Sequence, residues 1–369
     1  MDKKSAAAIR RLLKPETGVV DRLYSCYYDG SGDVFMMQAK SRLMTISEAS
    51  QELYHGILRK SLSGKIGKNL YNLSFPLQEE EEGGMQHMLY TLLKDPSEPA
   101  IKAFFEKVID IYQFSGRALV ILAHGTYDVP YRAKDGVVLE DSSETVYEFF
   151  ICSFCPVSNV SEGLEYDPKE VFFTDRDGYV ASKPEAGFLF PAFNDRSSDI
   201  HSVLYYTRKP SEMHPELITE LLGCPLPETE DGQKEAFRRL ITEGLGDKCT
   251  LENVSGVYDG IREYAEESRE EDIQTELGPV QIERIFRENG ADTDVMKGFS
   301  DAFEDIVGRG RTLAAENITD AGKIVVKAPG YTVNVGSGYS GALRTRREND
   351  MEYLVLPLTD ATVNGVPVR

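Results

Sequence analysis

Ala118-Leu-Val-Ile-Leu-Ala-His-Gly-Thr-Tyr-Asp-Val-Pro-Tyr-Arg132 is the stretch on which the fold turns. Its six consecutive apolar residues, Ala118–Ala123, have the length and composition of a strand buried on both faces. Groups able to bind or catalyse follow at once: His124, Tyr127, Asp128, Tyr131 and Arg132. Val146–Cys155 reads as a second core strand. Gly187-Phe-Leu-Phe-Pro-Ala-Phe-Asn-Asp-Arg196 repeats the pattern of an apolar piece running into charge, here Asp195 and Arg196. Rigid strands that end in polar residues are where scaffolds usually present function.

Working outward, residues 3–13 have helical composition and stop at Lys14-Pro15, where proline ends a helix. Val19–Tyr28 and Val34–Ala39 flank Asp29-Gly-Ser-Gly-Asp33 and read as a β-hairpin. Ser47 is placed to cap a helix reaching about Ser61. Further helices are expected at Met85–Lys94 and Glu98–Phe114, divided by Asp95-Pro96. After Pro210 the pattern becomes helical and acidic, with helices expected at 213–222, 231–244, 251–269, 280–288 and 294–307. From Ile324 it turns to β, with Pro-Gly and Asn-Gly turns and a Gly-Ser-Gly. The expected fold class is α+β. An N-terminal α/β domain with a mixed or antiparallel sheet covers 1–210, an acidic helical segment 211–310, and a small β module 311–369.

The 41% hydrophobic and 28% charged fractions allow a real core. No apolar run approaches the roughly 18 residues of a membrane span. The N-terminus has basic residues but no apolar stretch of the signal type, so a cytoplasmic protein is expected. Five cysteines, odd in number and scattered, are no disulfide framework. Cys152-Ser-Phe-Cys155 has CxxC spacing inside a strand-like run, where positions three apart point to opposite faces, so buried core thiols are expected. The net charge of −20 is uneven: residues 1–75 carry +5 and the rest −25. So acidic a body argues against broad nonspecific binding to DNA or anionic membrane. The basic N-terminal part can touch phosphate locally or dock on the protein's own acidic surface.

The candidate chemistry is sparse. His124 at the end of a core strand, with Asp128 four residues on, has the makings of a general base and its orienter, but no nucleophile elbow accompanies it. Arg196 can clamp a carboxylate or phosphate, or pair with Asp128 or Asp195 and pin two loops. The run Ser61-Leu-Ser-Gly-Lys-Ile-Gly-Lys-Asn69 fails as a phosphate loop, with Leu62 where glycine is needed and Asn69 where Ser or Thr is needed. A helix C-cap at Gly64 is the plain reading, and a weak anion nest with Lys65 and Lys68 the other. Tyr205, Tyr206 and Arg208, with Tyr127 and Tyr131, are either an aromatic–basic mix of the kind that stacks bases or half-buried core tyrosines. Gly336-Ser-Gly-Tyr-Ser-Gly341 beside Arg344, Arg346 and Arg347 reads as a turn next to a solvated charge run. Asp199 and His201 lack completing ligands, so no metal site is expected, and no cofactor motif is present.

Several of these runs together carry a resemblance. Ile9-Arg-Arg, Lys14-Pro-Glu16, Leu62–Leu70, Leu122–Arg132, Gly187–Arg196, Leu204–Arg208 and Val363–Val366 are similar to an uncharacterised bacterial family, domain of unknown function 4317, associated with Gram-positive anaerobes. The resemblance covers nearly the whole chain and implies no activity, ligand or cofactor. Gly125 and Asn194 stand where acidic residues are expected in that family. In layout alone, the chain is similar to nucleoid-associated proteins of Gram-negative bacteria. Two functional expectations follow. The first is a non-enzymatic cytoplasmic binding protein with a protein or nucleic-acid partner. The alternative is a hydrolase-like enzyme with a site around His124, Asp128 and Arg196.

Overall fold

The computed structural model describes residues 1, 3–30, 35–112, 116–132, 138–159, 164–167, 172–175, 178–194, 196–267, 275–319, 323–336, 343–349, 351–357, 362–363 and 366–367. The chain divides into two compact units, Met1–Pro227 and Glu228–Arg369. It is an α+β protein in which every paired strand of the main sheet runs antiparallel.

The first unit opens with α1 (Lys3–Leu12), followed by β1 (Val20–Tyr28) and β2 (Phe35–Arg42). Next come α2 (Glu48–Lys60), β3 (Leu70–Ser74), α3 (Leu77–Glu80), α4 (Met85–Lys94) and α5 (Glu98–Ile111). Then follow β4 (Arg117–Arg132), β5 (Val138–Asn159), β6 (Leu164–Asp167), β7 (Phe172–Asp175), β8 (Tyr179–Ala181) and β9 (Ala186–Phe190). Two short strands, β10 (Ala192–Asn194) and β11 (Ser197–Asp199), precede β12 (Ser202–Thr207). The sheet order is β2-β1-β4-β5-β9-β12-β3, with β8 added to β5.

Helices cover both faces, which explains the unbroken apolar runs in the central strands. Val120, Leu122, Phe150, Cys152 and Phe188 pack with Leu89, Leu92, Phe104 and Phe105 of α4 and α5. The alternate residues Ile121, Ala123, Phe149, Ile151 and Leu189 pack with Ile9 of α1, Leu58 of α2, Leu13 and Leu62. An antiparallel sheet more often leaves one face to water; here neither side of the strand is free to be polar. Ser47 caps α2 by accepting the Ser50 amide N–H. The last turn of α2 lies close to β9: a Cβ on Gly187 would sit 2.6 Å from the Cys152 carbonyl oxygen and 3.0 Å from Ser61 Oγ.

The composition shift at Pro210 precedes the division between the units by some distance. Leu217, Ile218, Leu221, Leu222 and Cys224 all join the core beneath α4 and α5. Residues 213–222, expected as a helix, are helical over 215–221, where Leu217–Leu221 is a π-helical turn that stops before Gly223 (φ +65°).

The second unit contains α6 (Glu230–Leu245), α7 (Leu251–Glu267), β13 (Glu276–Leu277), α8 (Pro279–Glu288), α9 (Thr293–Met296) and α10 (Phe299–Val307). After β14 (Leu313–Ala314) and α11 (Ala315–Ile318), the hairpins β15 (Lys323–Ala328) with β16 (Tyr331–Gly336) and β17 (Arg344–Glu348) with β18 (Met351–Val355) follow. Thr229 caps α6 through the Gly232 N–H. Phe237, Phe286, Phe299 and Phe303 centre the helical core. Helix α6 approaches α8 so closely that a Cβ on Gly244 would stand 2.6 Å from the Phe286 ring. Arg344, Arg346 and Arg347 are exposed, as expected of a solvated charge run, and they also form one strand of a hairpin, which was not expected. That strand is exposed at four of its five residues and half-buried at Thr345, so no burial pattern marks it in the sequence.

Candidate functional site

His124 is in the middle of β4, because the strand continues to Arg132 instead of stopping at Ala123. It pairs across to Arg22 on β1 and to Phe150 on β5, on the face covered by α4 and α5. The register shifts between Val20 and Arg22, which makes Asp21 the extra residue of a bulge. Asp21 Oδ1 reaches His124 Nδ1 at 2.6 Å, and Glu148 Oε1 reaches Nε2 at 3.1 Å. Lys94 Nζ, at the end of α4, is 2.9 Å from the other Glu148 oxygen, and Arg22 Nε is 3.3 Å from Asp21 Oδ2. Arg22, Asp21, His124, Glu148 and Lys94 therefore form a continuous chain of polar contacts across β1, β4, β5 and α4. Burial pushes the Glu148 carboxyl up, but the bonds from Lys94 and His124 outweigh it and hold the group below its ordinary value.

This arrangement closes the ring to chemistry. Each ring nitrogen lies within hydrogen-bond distance of a carboxylate oxygen, so neither is left over. A general base needs a nitrogen facing its substrate, and both of these face the protein. The Phe150 ring, edge-on at 5.4 Å, fills the remaining side. Asp128 is not the orienter: it is exposed, about 13 Å farther along β4 at the usual strand rise.

The other expected residues are scattered. Tyr127 is half-buried against Phe193, ring centroids 6.4 Å apart. Arg196 adopts φ 60° and donates from Nη2 to the Pro130 carbonyl oxygen, tying the β10–β11 turn to β4 six residues beyond His124. Asp195 lies outside the described residues; Tyr131 and Arg132 belong to β4, but their side chains lie outside them too. Around Lys65 and Lys68 the backbone amides are used internally. The N–H groups of Lys68, Asn69 and Leu70 all donate to the Lys65 carbonyl, and that of Gly67 donates to Leu70. Lys65 itself is exposed. Tyr205 and Tyr206 are core residues on opposite faces of β12. The two cysteines of the CxxC spacing also face opposite sides. Burial pushes Cys155 up to about 12 and raises Cys152 well above its ordinary value, which leaves neither as a ready thiolate. Among the described residues, no group of three or more His, Cys, Asp or Glu is placed to hold a metal ion. No helix among them is long and apolar enough to cross a membrane.

Of the five buried polar side-chain atoms without a described partner, three are Tyr24 Oη, Arg196 Nε and Tyr206 Oη. The other two belong to residues lining a cleft of about 460 Å³ in the second unit, between α6, α7 and β15. Helix α7 lends it one stripe at helical spacing: Leu251, Val254, Ser255, Tyr258 and Arg262. Lys234 and Arg238 come from α6, and Lys323 and Lys327 from β15. The lining thus includes five cations and no carboxylate among the described residues. Three of the cations are compensated nearby: Arg262 by Asp259 at 2.8 Å, Lys234 by Glu230 at 2.8 Å and Arg238 by Glu235 at 3.2 Å. Lys323 and Lys327 make no ion pair with any described residue. Ser255 is 6% exposed, yet its Oγ has no hydrogen-bond partner among the described residues, and neither has the buried Nε of Arg262. A buried polar group left unmatched costs about 1–3 kcal/mol, so two on one cleft wall mark a surface awaiting something. The cleft has no motif. Its one trace in the sequence is the Ser255 and Arg262 interruption of an otherwise apolar and aromatic stripe.

Fold and site together define a two-unit α+β protein with a closed charge chain in one unit and an open cationic cleft in the other. The chain belongs to the family described as Domain of unknown function (DUF4317), whose model matches residues 1–366. No curated protein and no solved structure matches it.

Proposed function

We propose that this is a non-enzymatic binding protein whose anionic partner docks in the cleft of the second unit. The observation that carries the reading is the lining itself: five cations without a carboxylate, around a buried and unpartnered Ser255 hydroxyl. The contrast with the rest of the chain sharpens it, since residues 76–369 carry a net −25. A cationic, partly apolar concavity on such a chain concentrates anions locally where the remainder repels them. The volume falls within the 300–1,000 Å³ usual for ligand sites. An enzymatic reading finds no support at His124, whose two nitrogens are both engaged.

The test is direct titration of the full-length protein with three anions: pyrophosphate, a six-residue thymidine oligonucleotide and an acidic hexapeptide. At least one is expected to bind, at least tenfold more weakly to an Arg238→Glu, Lys327→Glu double variant, and more weakly as salt rises. Binding of none of the three, or binding that the double variant leaves intact, would overturn the reading.

A further inference from the structure

Resting on that reading of the cleft, we infer that its partner is an acidic polypeptide segment in extended conformation, added as a third strand to the free edge of β15. The first support is the way β15 lines the cleft. Lys323, Ile324, Val325, Val326 and Lys327 all contribute, five residues in a row. Side chains of a strand alternate between its faces, so one face could supply only every second residue. Five in succession means that the edge of the strand, with its backbone N–H and C=O groups, borders the space. On its other side β15 pairs with β16 from Lys323↔Gly336 to Ala328↔Tyr331, and no further described strand joins the pair. In an antiparallel pair, alternate residues aim both backbone groups away from the partner, so among the described residues the outer edge of β15 is an unfilled ladder.

The second support is how the charges are distributed. A compact oxyanion is best held by cations converging on one point, whereas these are spread along the cleft. Lys323 and Lys327 are about 13 Å apart at the strand rise, and the α7 stripe from Leu251 to Arg262 runs about 16 Å at the helical rise. An extended guest of five or six residues matches both lengths. A single-stranded nucleic acid would call for stacking platforms. Tyr258 is the one aromatic residue of the lining, and its ring already packs edge-on against Phe237 at 5.6 Å.

The alternation along β15 sets the guest's pattern. Lys323, Val325 and Lys327 are exposed, while Ile324 and Val326 are half-buried. Residues directly opposite in an added strand share a face, so carboxylates belong across from the lysines and apolar side chains across from Ile324 and Val326. Main-chain hydrogen bonds then supply affinity and alternate pockets supply specificity, as in other cases of strand addition. Ser255 Oγ, on the facing helix and buried in the free protein, would gain a partner from the guest by turning toward the cleft.

The experiment uses the full-length protein and a fluorescein-labelled Glu-Val-Glu-Val-Glu-Val peptide, read by anisotropy. Its comparators are two versions N-methylated at alternate residues, one in each register, together with pyrophosphate and the thymidine hexamer. The parent peptide is expected to bind, one methylated version to lose at least tenfold, and the other to keep most of its affinity. Lys323→Glu with Lys327→Glu is expected to weaken the parent at least tenfold, with an unchanged circular dichroism spectrum. If both methylated peptides bind like the parent, strand addition is overturned. If pyrophosphate or the oligonucleotide binds and the peptide does not, the peptide inference falls and the anion-docking reading stands. If nothing binds, both fall.

Discussion

His124 in the first unit and Ser255 in the second are both buried polar residues with charged groups nearby, and they stand in opposite conditions. His124 has a carboxylate on each nitrogen, and those carboxylates are held in turn by Arg22 and Lys94. Ser255 Oγ has no partner among the described residues, beside an arginine whose Nε is equally unmatched there. Burial and charge are common to both places, so neither marks a binding site. Demand that the chain itself leaves unmet is what separates them, and it directs attention to the cleft and away from the histidine.

The largest effect that can break this comparison is at the charge chain. His124→Gln removes the ring that meets both Asp21 and Glu148, and it strands at least one of the two carboxylates. Breaking a buried ion pair costs about 3–5 kcal/mol. Asp21 and Glu148 keep 43% and 32% of their side-chain surface in water, so about 2–3 kcal/mol is expected here. Urea denaturation should show a lower midpoint with an unchanged m-value, while anion binding to the second unit stays as it was. A variant that folds with full stability but loses binding would reverse the assignment of structural and functional roles.

Two serines sharpen the comparison at the next level down. Ser61 Oγ and Ser153 Oγ are 2.8 Å apart and both are fully buried. Ser61→Ala strands the other hydroxyl, and a loss of about 1–2 kcal/mol is expected in thermal or urea unfolding. Ser255→Ala removes a hydroxyl that has no partner, so it should leave stability unchanged or raise it by up to about 1 kcal/mol. The same change should weaken binding of the acidic peptide by about threefold to tenfold, since one hydrogen bond contributes about 1 kcal/mol. Opposite signs in stability from the same substitution are the signature of a closed site and an open one. A destabilised Ser255→Ala protein would mean that the hydroxyl is satisfied.

How much of this was legible in the sequence depends on whether the cause is local. The Ser47 cap, the hairpin of β1 and β2 and the strands at 118–123 and 146–155 follow from neighbouring residues, although Val146, at one end of the second run, is exposed. The strand order does not: β3 joins the sheet beside β12 through pairs such as Leu73↔Val203, separated by most of the unit's length. The charge chain is long-range too. Asp21 and Glu148 come to His124 from other strands, whereas Asp128, the nearest carboxylate in sequence, lies about 13 Å away along β4. Arg344–Glu348 escaped because no burial alternation marks a hairpin strand this exposed. At the cleft, the helical spacing of Leu251, Val254, Ser255, Tyr258 and Arg262 is visible in the sequence. That Ser255 lacks a partner is a fact of tertiary structure, which spacing alone does not carry.

The smallest effect tests whether the charge chain is as closed as its geometry. Glu148 has a folded-state pKa below its ordinary value, so the stability it contributes is fully present above the unfolded value of about 4.3. That contribution is lost as pH falls through the lower folded-state value, where the carboxyl protonates and releases Lys94 and His124. Glu148→Gln removes the titration. The variant should be modestly less stable than the parent at pH 7, and the gap should close as pH is lowered below about 4, because the parent then carries a neutral group at the same place. Unfolding midpoints of the two proteins from pH 7 to pH 3 are the measurement. A gap that persists unchanged to pH 3 would show that Glu148 acts through packing rather than charge, and the chain from Lys94 to His124 would then not be the electrostatic unit that sets the first unit apart from the second.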